Sequence, residues 1–432
     1  MGSPCTTSGY VDNHDQINID RINMTSAHQP ARISAVEAAV RLGVKRETIY
    51  AYVSRGMLNS ERHIDGKSST FDPAEIERFR RDKNDRRPGR LDVSVASAIT
   101  EVTDGSVAYR GHALAQLVHA GHHYEEVAEL LWTGSLGATD SWPPDDRLRA
   151  AVQPAVDALL PTATAIDRMM AGVVAAAAAD PFRNDRSLHG MTSSGRILTS
   201  TIVDALPLAA RSSRGERLAE RLWRRLARTG SNQWPLLNLA MVLLADHGMA
   251  TSTLAARLAA STRSGPHAIL LAGLGAVAGP LHGAASRVVH ELFADAELHG
   301  PEVALATVIQ RDGKVPGIGH FIHRSTDPRH DLLMERLAET DLDQQRMDVV
   351  ASIVSLTSER IPVAPNVDLA LGALTYIAGM APDAGEVIFA IARTAGWLAH
   401  ALEEYEETPI RFRPVGRYVA SPTTHRPSLP LA

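Results

Sequence analysis

Thirteen residues near the carboxyl end, VIFAIARTAGWLA from Val387 to Ala399, carry a single charge, Arg393, and are apolar nearly all round at helical spacing. A helix with no polar face has to lie inside a large helical body, so many other helices must surround it. The rest of the chain supplies them. From Leu91 to about Thr424, Ala-rich segments such as Met169 to Ala179, Arg217 to Arg228 and Gly385 to Glu404 keep a helical period, and neither alternating strands of consequence nor short repeats interrupt them. The main body is therefore expected to be almost all α. A chain of 432 residues exceeds one ordinary compact domain, which predicts two or three structural units.

The amino-terminal part differs in charge and pattern. Residues 30 to 90 hold 14 Lys or Arg against 9 Asp or Glu, so a basic head precedes an acidic body within a chain of net charge −5. Residues 1–29 are polar and aperiodic, and read as a flexible tail. Ser34 with Glu37 suggests a capping box for a helix whose apolar stripe is Val36, Ala39, Val40 and Leu42, ending at Gly43. A second helix is predicted from Lys45 to Arg55. Asp65-Gly66 suits a hairpin, and Asp72-Pro73 starts a third helix through Arg81. Together, residues 30–83 read as a winged helix-turn-helix. NDRRPGR, residues 84–90, reads as a linker that spans at most about 25 Å.

Three ionisable residues stand alone in long uncharged stretches. Asp368 is the only charge in IPVAPNVDLALGALTYIAGMAP, Arg393 the only one in the helix above, and His282 lies near the end of an uncharged run from Ser264 to Ser286. Burial raises a carboxylate's pKa and strengthens it as a base, whereas a buried arginine keeps its proton and requires an anion. Each has a structural alternative: Asp368 as a helix cap, Arg393 paired with an internal carboxylate, His282 as a satisfied core histidine. Found together, they point to acid/base chemistry on an anionic substrate. Glycine turns flank His282 in GPLHGAAS and His320 in VPGIGHFIHRSTDPRHDLL.

Other chemistries lack their residues. The one cysteine, Cys5, lies in the polar tail and fits a reducing compartment, and no metal-binding spacing, dinucleotide fingerprint or phosphate loop is found. The Ser264 to Ser286 run holds two His, two Pro and five Gly, a poor membrane span. A cytoplasmic, non-membrane protein is expected. The arginine-rich segment from Arg211 reads as a solvated helix face with Glu216 and Glu220 interleaved.

With GPLHGAAS, GIGHFIHRSTDPR, PNVDLALGAL and VIFAIARTAGWLAHALE in this order, the chain strongly resembles the citrate synthase family over about residues 91–424. The resemblance implies a fold of large and small helical domains, the small one at about 283–385 inserted in the large. It implies condensation of oxaloacetate with acetyl-CoA and water to citrate and CoA, without metal or permanently bound cofactor. His282, His320 and Asp368 become the catalytic set, with Ser252 orienting the catalytic histidine. His247, Arg329, Arg393 and Arg413 become the oxaloacetate ligands, the last from a partner subunit in a homodimer or higher even oligomer. The likeness is looser elsewhere: HADHE has Leu244 and Gly248 at its ends with Ala250 beyond, HGGAN reads HGAAS, and GHRVYK reads GHFIHR with Phe321 and His323, the latter taken as a neighbour and not a catalyst. A 2-methylcitrate synthase using propionyl-CoA shares the same residues. The head resembles MerR-like or excisionase-like modules, which implies DNA contacts from Lys45, Arg46, Thr48, Tyr50 and Arg55, phosphate contacts from Arg62 and Lys67, and Ile49 and Val53 turned inward. A transcriptional regulator with a metabolite-sensing body is the alternative from another functional class.

Overall fold

The computed structural model describes residues 32–54, 57–62, 69–85, 93–143, 145–209, 216–228 and 232–414. They fall into two compact units divided between Ser94 and Val95.

In the first unit, Ser34 accepts a hydrogen bond from the Glu37 N–H (3.2 Å) and starts the helix Ala35–Leu42, and Gly43 closes it at φ 60°. The inward face is Ala35, Ala38, Ala39 and Leu42, while Val36 and Val40 are 57% and 76% exposed. The expected stripe was therefore wrong in half its members: the i, i+3, i+4, i+7 set begun by Ala35 faces the core, and the bulkier valines face outward. The helix Arg46–Ser54 follows, with Ile49 fully buried and Val53 packed beside it. Strands Ile33–Ser34 and Glu61–Arg62 flank Ser69–Phe71 in an antiparallel sheet. The helix Pro73–Asp85 packs Ile76 against Phe71 and Ile49 and runs into the stretch expected to be linker. The hairpin tip, Arg55 and Lys67 lie outside the described residues.

The second unit contains fifteen helices among its described residues. It also contains strands that the sequence reading passed over. Thr100–Thr103, Ser106–Tyr109 and His112–Ala113 form a small antiparallel sheet, turning at Asp104-Gly105 and at Arg110-Gly111, where three of the four residues are described with positive φ. Asp-Gly between short alternating runs is a hairpin signal, here overshadowed by the helical periodicity of the remainder.

The helix Ala384–Glu406 is the axis of this unit, with 19 of its 23 residues buried. Helices Tyr124–Thr133, Leu188–Ala205, Trp234–Leu244, Thr251–Ser261 and Pro266–Val277 surround it, which is the environment its all-round apolar sequence demands. Residues 211–215 of the arginine-rich segment lie outside the described residues, and the part from Glu216 behaves otherwise than expected. In the helix Leu218–Leu226, Arg221 turns inward to the Asp204 carboxylate (2.6 Å) and the Trp142 carbonyl (2.6 Å) and is buried, because Asp204 on a neighbouring helix offers it an anion. No helix of the described residues is long and apolar enough to cross a membrane.

Candidate active site

Asp368 sits in the first turn of the helix Val367–Ile377, but it is not the cap. Asn366 is, accepting the Asp368 N–H at 2.9 Å. Freed from capping, the Asp368 carboxyl is pushed up to about 6 by burial, against the pull of Arg329 and Arg393 and with the push of Asp327.

The loop that carries His320 is fastened to this helix start. Asn366 N–H donates to the Gly317 carbonyl (2.9 Å), Gly319 N–H to the Ala364 carbonyl (2.8 Å), and the Asn366 side-chain amide to the Gly319 carbonyl (2.7 Å). Gly317 has φ 74°, and a Cβ there would meet the Leu369 backbone, so only glycine lets the loop approach so closely. Nδ1 of His320 accepts two backbone N–H bonds, from Ile322 and His323, both 3.1 Å. That leaves Nε2 as the protonated nitrogen of a neutral ring, a donor for an incoming oxygen. Burial and the Arg329 charge hold its pKa down.

On the other side, Nε2 of His282 hydrogen-bonds with the buried Ser252 hydroxyl at 2.8 Å, and the ring stands edge-on to Phe389. Burial, then Arg393, depress the His282 pKa to about 4, so it is neutral at physiological pH. Phe389 also lies 4.6 Å under the Arg393 guanidinium. Arg393 is 1% exposed, donates Nε to the Leu244 carbonyl (2.9 Å), and buries Nη1 without a hydrogen-bond partner among the described residues. A buried guanidinium nitrogen without a partner is costly unless an anion arrives. Arg329 is equally deep but differently held: Asp327 grips its Nε and Nη2 at 2.9 and 2.8 Å and also accepts the Val367 N–H, linking the arginine to the Asp368 helix.

The two cations define one site. Arg393 acts on His282, His247 and Asp368, and Arg329 acts on His247, His320, His323 and Asp368. His247 is buried with its pKa well below the usual histidine value, first through desolvation and then through both arginines. Ser252, His247, His282, His320, Arg329, Asp368 and Arg393 are thus brought together. Arg413 is not: it is exposed, and among the described residues it bonds to the Ile410 carbonyl (3.3 Å). Among the described residues no His, Cys, Asp or Glu cluster can hold a metal ion.

His323 was expected as a neighbour of the site, but its ring contact with His247 escaped the sequence reading, as did a network behind His247. His323 lies inside the histidine cluster with its ring 4.9 Å from that of His320 and 5.2 Å from that of His247. Behind His247, the buried Asp246 carboxylate accepts from Thr100 (2.6 Å), the Gly248 N–H (2.8 Å) and His400 (3.3 Å), and His400 in turn meets Arg257 (2.7 Å), which pairs with Glu403 and Glu404. Seven residues separate His400 from Arg393, which places both on one helix face, so the spacing was an available signal.

The profile for the citrate synthase C-terminal domain matches residues 92–415. The chain belongs to the citrate synthase family. The Haloferax volcanii citrate synthase is 33% identical over 186 residues, 42% of this chain, which spans about half (49%) of that relative. The Corynebacterium glutamicum 2-methylcitrate synthase 1 is 26% identical over 342 residues, covering 72% of this chain and 89% of that protein. Among solved structures, the Thermoplasma acidophilum citrate synthase in ternary complex with carboxymethyl coenzyme A and oxaloacetate superposes with a TM-score of 0.64 at 22% identity, over 78% of this chain and 97% of that one, a likeness of fold.

Proposed function

We propose that the body of this protein is an acyltransferase of the citrate synthase type, condensing oxaloacetate with acetyl-CoA and water to give citrate and CoA, with no metal. The observation that carries this reading is a carboxyl raised to about 6, Asp368, in one electrostatic site with two neutral histidines and a buried arginine whose Nη1 has no hydrogen-bond partner among the described residues. At neutral pH Asp368 is ionised and, for a carboxylate, strongly basic; it takes a proton from the acetyl methyl group. His282, held by Ser252, hydrogen-bonds the thioester oxygen and stabilises the enol or enolate. His320 donates from Nε2 to the oxaloacetate ketone as the carbon–carbon bond forms. Hydrolysis of citryl-CoA then releases CoA. Arg393, Arg329 and His247 hold the substrate carboxylates, and Arg413 of the partner subunit completes the set in a cytoplasmic homodimer.

Propionyl-CoA in place of acetyl-CoA, giving 2-methylcitrate, is the second reading, and the extent of the match to a 2-methylcitrate synthase favours considering it. A free-thiol release assay with oxaloacetate and either acyl-CoA, on the wild type and Asp368→Ala, tests both. Turnover by the wild type and its loss in the variant are expected; no turnover with either thioester defeats the enzyme reading and leaves the sensor reading.

We read the first unit as a winged helix-turn-helix that binds DNA. Lys45, Arg46 and Tyr50 are exposed and Thr48 half-buried at the start of the helix Arg46–Ser54, with Arg46 hydrogen-bonding Tyr50 (3.4 Å). Such residues suit phosphate and base-edge contacts.

A further inference from the structure

His323 serves the histidine cluster through both its main chain and its ring. Its N–H donates to Nδ1 of His320 at 3.1 Å, and its ring Nε2 lies 3.0 Å from Nε2 of His247. The same Nε2 is 4.0 Å from Oδ1 of Asp327, the carboxylate that grips Arg329, and the side chains of both His323 and Asp327 are wholly buried. One residue thereby touches, directly or through one carboxylate, three groups of the oxo-acid site.

Two imidazole nitrogens in hydrogen-bond contact share one proton: one ring donates and the other accepts. Burial first, then Arg329, keep His247 neutral, and burial likewise lowers His323 against the opposing pull of Asp327, Asp104 and the Thr103 carbonyl. With its Nε2 engaged, His247 has only Nδ1 left for a ligand. The oxygens of an anionic oxo acid accept hydrogen bonds, so His247 must donate from Nδ1, and His323 must then be the donor from Nε2.

We propose that His323 is a positioning residue that fixes the tautomer and orientation of His247, so that His247 presents an N–H to a carboxylate or carbonyl oxygen of the 2-oxo acid. This rests on the condensation reading for its substrate, though the His247–His323 contact stands without it. His323→Phe keeps a ring and removes both nitrogens; His323→Gln places an amide donor near the position of Nε2. We expect His323→Phe to raise KM for oxaloacetate about ten-fold, as befits one lost hydrogen bond, with KM for the acyl-CoA changed less than about two-fold. His323→Gln should recover to within about three-fold of wild type. Unchanged KM for oxaloacetate in His323→Phe, or equal damage in both variants with unaltered melting temperature, overturns the proposal. Long-range 15N–1H NMR of the histidine rings, with His247 assigned by its loss in His247→Gln, needs no turnover. His247 should show one tautomer in the wild type and a mixture in His323→Phe, and identical spectra refute the proposal. The tautomer contrast without turnover in the wild type defeats the condensation reading alone.

Discussion

At the scale of single residues, the proposed site sets proton affinities apart. Asp368, at about 6, lies above an ordinary carboxyl, while His282, at about 4, lies below an ordinary imidazole, so at neutral pH the site holds one carboxylate base beside uncharged donors. Activity should therefore fall as pH drops through about 6, where Asp368 takes up its proton, and kcat/KM against pH reads that limb directly. Asp368→Asn should lower kcat by about 10³-fold or more. The same substitution should raise stability. The folded protein binds the Asp368 proton more tightly than the unfolded chain, so stability falls as pH rises from about 4 to about 6. The amide removes that cost, on the order of 3 kcal/mol at neutral pH, and thermal melts at pH 7 should show a higher Tm for the inactive variant; an unchanged or lower Tm would contradict the desolvation account. Ser252→Ala should release His282 and reduce kcat about ten-fold with little effect on KM for oxaloacetate.

At the scale of elements, chemistry depends on close approach between pieces distant in sequence. Asp327 caps the helix Pro328–Ala338, grips Arg329 and accepts the Val367 N–H, so it ties two helix starts to one cation. Asp327→Ala leaves a buried guanidinium without its anion and should cost about 3–5 kcal/mol, read from urea unfolding. Gly396 in the axial helix is a second such point. A Cβ there would fall 2.2 Å from Oδ1 of Asp246, with the Ala245 carbonyl at 2.7 Å, and the Gly396 N–H already donates to that carbonyl at 3.0 Å. Gly396→Ala should cost about 1–3 kcal/mol and push aside the loop that carries His247, raising KM for oxaloacetate. Normal affinity in this variant would show that the loop position does not depend on the axial helix.

For the whole molecule, the sharing of sites and the role of the basic head are open to mixing and salt. If Arg413 acts in the partner subunit's site, Arg413→Ala and Asp368→Ala chains are each inactive as pure dimers but make mixed dimers with one intact site. Random mixing should restore roughly a quarter of wild-type sites, measured by thiol release; no recovery in verified mixed dimers would place Arg413 outside any shared site. DNA affinity of the full chain should fall steeply with salt, by a slope of about −0.9 for each phosphate contacted. What the sequence determined by itself was the mainly helical body and the identity of the lone charges, because an apolar stretch draws its one charge away from water, fully at Arg393 and partly at Asp368 and His282. The order of motifs likewise made the family legible. What only the tertiary structure decided was the facing of the first helix, the small sheet opening the body, the inward turn of Arg221, and the joining of His323 to His247 and of Asp246 to His400 and Arg257. Those depend on which of several polar groups, up to some 150 positions apart, arrive within hydrogen-bond reach, and periodicity, which records only the facing of residues within one element, carries no such distance.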